Sequence, residues 1–393
     1  MSEMSYLEKL LDGAEVEWKP LREVCDFKNG FAFKSNLFKE TGLPIVRITN
    51  IDGFNVNLDE VKYFSPNDYK EDISSFEVSM GDIVIAMSGA TTGKVGFYKN
   101  ETRCYLNQRV GKFVPKRNLL NNKYLYHFLL LNTEAIYILA GGGAQPNLSS
   151  NALMSKLLIP IPSSSNPEKS LAIQSEIVRI LDKFTALTAE LTAELTMRKK
   201  QYNYYRDQLL SFDEGEVEWK TLGEITRKIA SGRNKTRQAE GDFPVYGSTG
   251  LLGFTNEPAY SGDLLLVARV GAYAGLVNAV SGHFDVSDNT LIIHPSDSWN
   301  SRFAFHQLTH MNLNQYAVGA GQPLITGGML KNLKVPVPSL NEQTRIAKIL
   351  DKFETITVSI TEGLPREIEL RQKQYEYYRD LLFSFPKPEI ASY

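Results

Sequence analysis

The hydrophobic positions of this chain fall into two alternating regimes. From Ile173, apolar residues recur at Ile177, Ile180, Phe184, Leu187, Leu191 and Leu195, then at Tyr202, Tyr205 and Leu209. Steps of three and four place them along one stripe of a helix, as in a coiled-coil seam. Ser165 or Asn166, followed by Pro167 and Glu168, supplies a helix start. About 40 residues at 1.5 Å rise predict a rod of roughly 60 Å. Elsewhere, short apolar runs alternate with Gly-rich loops. Residues 43–48, 82–87, 110–114, 263–268 and 290–293 read as strands. Residues 122–131 and 302–309 read as short helices, YLYHFLL in one matching FAFHQLT in the other. The pattern predicts an α/β fold of the α+β kind: two mixed globular domains alternating with two long helices.

The alternation is a duplication. Residues 200–212 read KQYNYYRDQLLSF and residues 373–385 read KQYEYYRDLLFSF, identical at ten of thirteen positions. Upstream, IVRILDKF (177–184) pairs with IAKILDKF (346–353), and IPIPS (159–163) with VPVPS (335–339). Gln145-Pro146 and Gln322-Pro323 each follow a Gly-rich stretch, and Val-Glu-Trp-Lys opens each half at Val16 and Val217. Chance does not repeat so many strings in one order. The expected organisation is a first globular domain (1–166), a first helical region (167–213), a second globular domain (214–340) and a second helical region (341–393). The second helix carries four extra residues between its LDKF and KQY strings, with Gly363 and Pro365 nearby. Four residues are close to one turn, so the apolar face survives, while Gly and Pro are expected to kink or break the rod. Two similar amphipathic helices in one chain bury their stripes most simply against each other. An antiparallel pair would put the two domains at opposite ends of a spacer.

Composition places the chain in the ordinary globular class, with 42% hydrophobic and 22% charged residues, 19 Tyr and 20 Phe. No apolar run reaches membrane-span length, and the N-terminus is acidic where a signal peptide would be basic and then apolar. Two cysteines, Cys25 and Cys104, make neither a disulfide framework nor a zinc site. These features predict a cytoplasmic protein with no membrane partner. The net charge of -2 conceals local asymmetry. Residues 83–117 hold seven basic residues against Glu101, residues 227–237 hold five and no acid, and residues 52–82 hold eight acids against Lys62 and Lys70.

Enzyme motifs fail on inspection. Gly89-Ala-Thr-Thr-Gly93-Lys94 has three residues between its glycines where a phosphate loop has four, and Val95 where Ser or Thr would bind magnesium. Its second copy, Gly271 to Gly275, is followed by Leu276. His306 and His310 lack the intervening glutamate of a zinc protease, so they read as core or surface histidines. No Asn/Asp-Pro-Pro-aromatic string of an amino-methyltransferase, no Cys-x-x-Cys and no nucleophile elbow occurs. No catalytic, metal or cofactor site is expected on this chain. What remains is loop chemistry suited to recognition. Arg pairs bidentately with guanine and Asn or Gln with adenine, while hydroxyls and Gly-loop amides suit phosphates. The first-copy candidates are Lys28, Asn29, Arg47, Ser88, Thr91, Thr92, Lys94, Asn107, Gln108, Arg109 and Gln145. In the second copy they are Arg233, Asn234, Lys235, Ser248, Arg269, Tyr273, Asn289 and Gln322. Asn107-Gln108-Arg109 is set against Asp288-Asn289 as the variable pair of loops.

The doubled order of these strings resembles the specificity subunit of type I restriction-modification enzymes along the whole chain. The tyrosine-rich helix ends, the IPIPS and VPVPS exits and the ILDKF helices look like that family's conserved regions. The resemblance implies two target-recognition domains, each reading one half of a bipartite site in double-stranded DNA. It implies an antiparallel coiled coil that sets the unread gap, and a circular pseudo-symmetry that brings the N-terminus near the end of the second helix. Leu10-Leu11-Asp12 fits this as a shortened copy of residues 209–213. The subunit itself would be non-catalytic. It would dock methylation subunits, expected to be two, through Tyr202, Tyr205, Arg206, Tyr375, Tyr378 and Arg379. Restriction subunits would join through the complex, with S-adenosylmethionine, ATP and magnesium held by those partners. Two other classes remain open: a two-domain interaction scaffold for a non-DNA ligand, and an enzyme using the Gly89 loop on nucleotides.

Overall fold

The computed structural model describes residues 6–143, 146–213, 215–319, 321–359 and 361–387. It divides into two compact units, 1–189 with 370–393, and 190–369, so both boundaries fall inside helices.

Each unit builds the same three sheets. In the first, Cys25–Asn29, Val110–Pro115, Ile83–Ala86 and Val95–Phe97 form an antiparallel sheet in that order. Lys62–Phe64, Leu43–Val46, Cys104–Leu106 and Glu77–Val78 form a mixed sheet, whose central pair is parallel. The second unit repeats both orders, with Thr226–Ser231, Thr290–Pro295, Leu264–Ala268 and Val277–Val280, and with Gly250–Thr255, Phe243–Gly247, His283–Val286 and Tyr260–Ser261. Ile83 to Ala86 and Leu264 to Ala268 are buried. They are continuous Val/Ile/Leu/Ala runs because both faces of these central strands are covered.

The third sheet is built from the proline-rich exits. Leu158–Pro162 pairs antiparallel with Val16–Pro20, and Lys334–Val337 with Glu218–Thr221. A two-stranded ribbon leaves one side of each strand without a neighbour, and there the missing proline N–H is harmless. The ribbon ties the beginning of each domain to its end. One proline carbonyl in each is also used: Pro160 O accepts from the Tyr124 hydroxyl (2.9 Å), and Pro336 O from Gln307 Nε2 (2.6 Å).

The short domain helices run Asn122–Leu131 and Ser301–His310, capped by Asn121 and Asn300. The first long helix is Pro167–Leu210, its start held by Asn166, whose side chain accepts from the Lys169 amide. The second is broken: Leu340–Thr357 ends and Gly363–Leu382 begins a separate segment. Gly363 has φ +80°, and an added Cβ would lie 2.2 Å from the Thr355 carbonyl oxygen. A helical residue with a side chain cannot occupy that position.

Each unit also holds the start of one helical region and the end of the other. In the first, Leu7 and Leu11 of helix Tyr6–Leu11 share a core with Ile173, Ile177, Leu382, Phe383 and Phe385. Phe184 stacks on Tyr378 there, and Trp18 Nε1 donates to Pro386 O (2.7 Å). In the second, Leu209 and Leu210 pack with Ile346 and Leu350, and Tyr205 stacks on Phe353. Residue numbers rising along one helical region meet falling numbers along the other, which is the order of antiparallel pairing. Among the described residues, no helix is long and apolar enough to cross a membrane.

Candidate functional site

Both domains build one loop skeleton from equivalent hydrogen bonds. After the buried central strand, Ala86 N donates to Lys94 O (2.9 Å) and Gly93 N returns to Ala86 O (2.9 Å). Ala268, Leu276 and Gly275 repeat this at 2.9 and 2.8 Å. Strand Val95–Phe97 follows the first loop where a phosphate loop would lead into a helix, so its amides do not line a helix N-terminus. Thr92 is buried, with its hydroxyl 2.7 Å from Gly89 O and 3.2 Å from Pro146 O, and it serves the loop itself. Thr92→Val is expected to cost about 1 kcal/mol in thermal or urea unfolding. A loss of DNA binding at unchanged stability would instead give the hydroxyl a ligand role.

A second loop follows Cys104–Leu106 and His283–Val286. Asn107 N donates to Val46 O (3.0 Å) and Met87 N to Arg109 O (2.8 Å). Ser287 N donates to Tyr246 O (2.9 Å) and Arg269 N to Asn289 O (3.0 Å). These bonds make Gln108 equivalent to Asp288 and Arg109 to Asn289. The sequence pairing of Asn107-Gln108 with Asp288-Asn289 is therefore shifted by one residue. Asn107 matches Ser287 and turns its carboxamide back to the Arg109 amide (3.4 Å).

Gly30 and Gly232 hold the edge of this loop. A Cβ on Gly30 would stand 2.0 Å from Asn107 O, and one on Gly232 2.2 Å from Ser287 O. Each glycine lets the strand before it close onto the variable loop, and carries Lys28-Asn29 or Asn234-Lys235 with it.

In the second domain these loops enclose a cleft of about 350 Å³. It gathers Asn234, Lys235, Ser248 and Asn289, and adds Arg237 and Asp288. Asn234 Nδ2 donates to Asp285 Oδ2 (2.6 Å), and Ser248 Oγ to Asn289 O (2.8 Å). Arg233 and Gln322 are exposed, as is Tyr273 at 62%. In the first domain Lys28, Asn29, Lys94, Gln108 and Arg109 are exposed, while Arg47, Ser88 and Thr91 are half-buried. Thr91 Oγ1 donates to Ile48 O (3.2 Å). Lys94 lines a separate cavity of about 370 Å³ with Phe54, Glu376 and Arg379. Gln145 lies outside the described residues.

Several buried polar atoms without a protein partner lie at these loops: Arg47 Nε and Ser88 Oγ in the first domain, and Asn234 Oδ1, Arg269 Nε and Thr290 Oγ1 in the second.

Residues below the loops tie each domain to its helices. His127 Nε2 lies 3.2 Å from Asp182 Oδ1, and Lys123 Nζ 2.6 Å from Asp182 Oδ2. His306 Nε2 lies 2.7 Å from Asp351 Oδ1, beside Arg302, which bonds both Asp351 and Glu354. Burial pushes both histidines below the usual imidazole value, more than the carboxylates raise them. Burial alone would raise Asp182 and Asp351, but bonds from the histidine and the neighbouring cation hold both below the ordinary carboxylate range. Each clasp is thus a neutral imidazole donating Nε2–H to an ionised aspartate. His306, Asp351 and Glu354 are close enough together to share a metal ion, but the Arg302 guanidinium already supplies the cation. Sequence reading left these histidines without a role. The signal was present, since His127 aligns with His306 and both ILDKF strings carry the aspartate.

Of the six helix residues expected to meet partners, Tyr375 is 6% exposed and its hydroxyl bonds His127 Nδ1 (2.9 Å). Tyr202 is half-buried, and Arg206 and Arg379 lie over Tyr202 and Tyr375. Tyr205 and Tyr378 are exposed on one side while stacking on Phe353 and Phe184. The most exposed tyrosines of the two strings are Tyr204 (62%) and Tyr377 (65%), which periodicity had not singled out.

Comparison with known proteins matches this arrangement. The family model for the type I restriction modification DNA specificity domain matches residues 14–197 and 214–370. The chain is 40% identical to the type I restriction enzyme EcoR124I/EcoR124II specificity subunit of Escherichia coli, across the whole of both chains. It is 41% identical to the EcoprrI specificity subunit of the same species, covering 92% of this chain and 93% of that one. Among solved structures, the type I restriction-modification S subunit from M. genitalium superposes with a TM-score of 0.62 at 20% identity, covering 98% of this chain and 100% of that one.

Proposed function

Because this chain belongs to the type I restriction-modification DNA specificity family, we propose that its two recognition domains each read one half of a bipartite target in double-stranded DNA. The observation that carries this reading is one loop skeleton bearing different side chains. Gln108 and Arg109 stand where the second domain has Asp288 and Asn289, and Lys94 where it has Leu276. A common scaffold with unlike rims suits two unlike half-sites read in the same way. Exposed Lys28, Lys235 and Arg237 supply phosphate contacts that set register, while amide and guanidinium groups supply base contacts.

The chain contributes recognition and spacing. Methylation subunits, two of them, dock on the tyrosine-rich helix ends and bring S-adenosylmethionine. Restriction subunits join that assembly and bring ATP and magnesium. The work is done in the cytoplasm, where the DNA lies. Loops this polar discriminate bases through geometry, so net charge near zero does not conflict with binding when partners add their own basic surface.

Exchanging residues 20–158 for the equivalent domain of another family member tests the reading. The cut points fall in the ribbon of Val16–Pro20 and Leu158–Pro162, so the exchanged piece keeps its own sheets. Mapping methylated adenines should show one half of the target replaced and the other half and the gap unchanged. If both halves change, or neither, the modular reading is wrong.

A further inference from the structure

We propose that each recognition domain reads a guanine with one arginine, Arg47 in the first and Arg269 in the second, supplied from non-equivalent positions. This inference rests on the function proposed above and adds the base that each domain contacts.

Both arginines are half-buried, and the Nε–H of each is buried with no acceptor in the protein. Of the other half-buried arginines, Arg198, Arg206, Arg302, Arg366 and Arg379 each lie against a carboxylate, and Arg371 donates to Gln374 Oε1. Arg47 and Arg269 have no ion pair among the described residues. A half-buried arginine beside a recognition loop with no carboxylate partner keeps its outer guanidinium donors available to a ligand.

Their places in the fold make them functional counterparts. Arg47 follows strand Leu43–Val46, whose Val46 carbonyl accepts from the Asn107 amide. The equivalent second-domain residue, following Tyr246, is Gly247. Arg269 follows strand Leu264–Ala268, and its own amide donates to Asn289 O (3.0 Å). The equivalent first-domain residue, whose amide donates to Arg109 O, is Met87. One arginine therefore flanks the variable loop in each domain, from the mixed sheet in one and the antiparallel sheet in the other. Where one domain has the arginine, its twin has a residue, Gly247 or Met87, whose side chain offers no hydrogen-bond donor.

The chemistry favours a base over a phosphate. Lys28, Lys235 and Arg237 are exposed and free to follow the backbone of the duplex. Arg47 and Arg269 are half-buried and stand where strands Leu43–Val46 and Leu264–Ala268 run into the loops. The planar fork of a fixed arginine matches O6 and N7 of guanine in the major groove.

The test uses the full chain in complex with its methylation subunits. Methylated-adenine mapping should reveal a G·C pair in each half of the target. Arg47→Gly and Arg269→Met install the residue of the twin domain. Each should weaken binding of the cognate duplex about 10-fold or more and relax selectivity at one G·C pair in its own half only. Replacing that guanine by 7-deazaguanine, which lacks N7, should weaken the unaltered complex and have little further effect on the variant. Arg269→Lys retains the charge without the planar fork and should restore binding only in part, and only to duplexes that keep the G·C pair. If it restores binding evenly across sequences, the arginine serves a phosphate and the inference fails. A half-site with no G·C pair, or equal 7-deazaguanine effects with and without the arginine, also overturns it. Continued methylation directed by the unaltered half of the target controls for folding. A complex with no preference among duplexes would instead overturn the proposed function itself.

Discussion

Gly232→Ala is expected to destabilise the second unit by about 3 kcal/mol, the upper end of overpacking effects, and to erase selectivity for its half of the DNA target. The added methyl would lie 2.2 Å from Ser287 O, 2.5 Å from Val286 O and 2.8 Å from Val286 C. All three are backbone atoms, two at the end of strand His283–Val286 and one in the first residue of the variable loop. No rotamer change relieves such a contact, so the strands must part. Arg233 N and Asn234 N, both bonded to Val286 O at 3.0 and 2.9 Å, would lose their acceptor as they do. Asp288 and Asn289 would then leave the cleft they share with Asn234 and Lys235. Gly30→Ala should act in the same way on the first unit, through Asn107 O at 2.0 Å. Calorimetry or thermal unfolding of the complex, with mapping of methylated sites, checks both. Unchanged melting with both half-sites still read would show that the close approach is not required.

The clasp in the second unit carries the other large expectation. Asp351→Ala should cost about 2–3 kcal/mol, below the full penalty for breaking a buried pair because the aspartate is partly exposed. Arg302 would keep Glu354, but His306 would lose its acceptor while fully buried. Its Nδ1 already lacks a partner, so the imidazole would have none. Asp182→Ala should cost less, because Lys123 can turn to solvent and His127 keeps the Tyr375 hydroxyl. Urea unfolding of the two variants side by side reads the ranking, and a larger effect at Asp182 would contradict it.

The same groups set a pH dependence. Both histidines titrate below their unfolded value of about 6.5 because they are buried, so below that pH the unfolded chain takes up protons that the folded chain refuses. Stability is full above that value and falls as the pH drops through it towards the folded values. Both aspartates titrate below their unfolded value of 3.8, so their contribution persists to lower pH and is lost only as the pH falls through their folded values. In Asp351→Ala the carboxylate that raised His306 is gone. The first loss, beginning near neutrality, should therefore steepen. A flat stability profile between pH 7 and 5 would show that the imidazoles are not held neutral.

The sequence determined the duplication, the helix registers and most of the buried strands. These follow from local regularities: a stripe every three or four residues in 167–210, and continuous apolar runs such as Ile83–Ala86 that suit only a covered strand. It also located the loops, because glycines and amides mark turns wherever they fall. Three decisions belonged to the tertiary structure. The proline-rich exits became strands because Val16–Pro20 and Glu218–Thr221 lie beside them, and proline propensity alone argues against that. The variable loops shifted by one residue because their alignment is set by backbone bonds to Val46 and Tyr246, not by side-chain identity. The clasps and the unpartnered arginines arose from groups tens of residues apart, such as His306 with Asp351. Periodicity reports which face of an element is apolar; it does not report which polar group from elsewhere in the chain arrives opposite it, and that is decided only when the core closes.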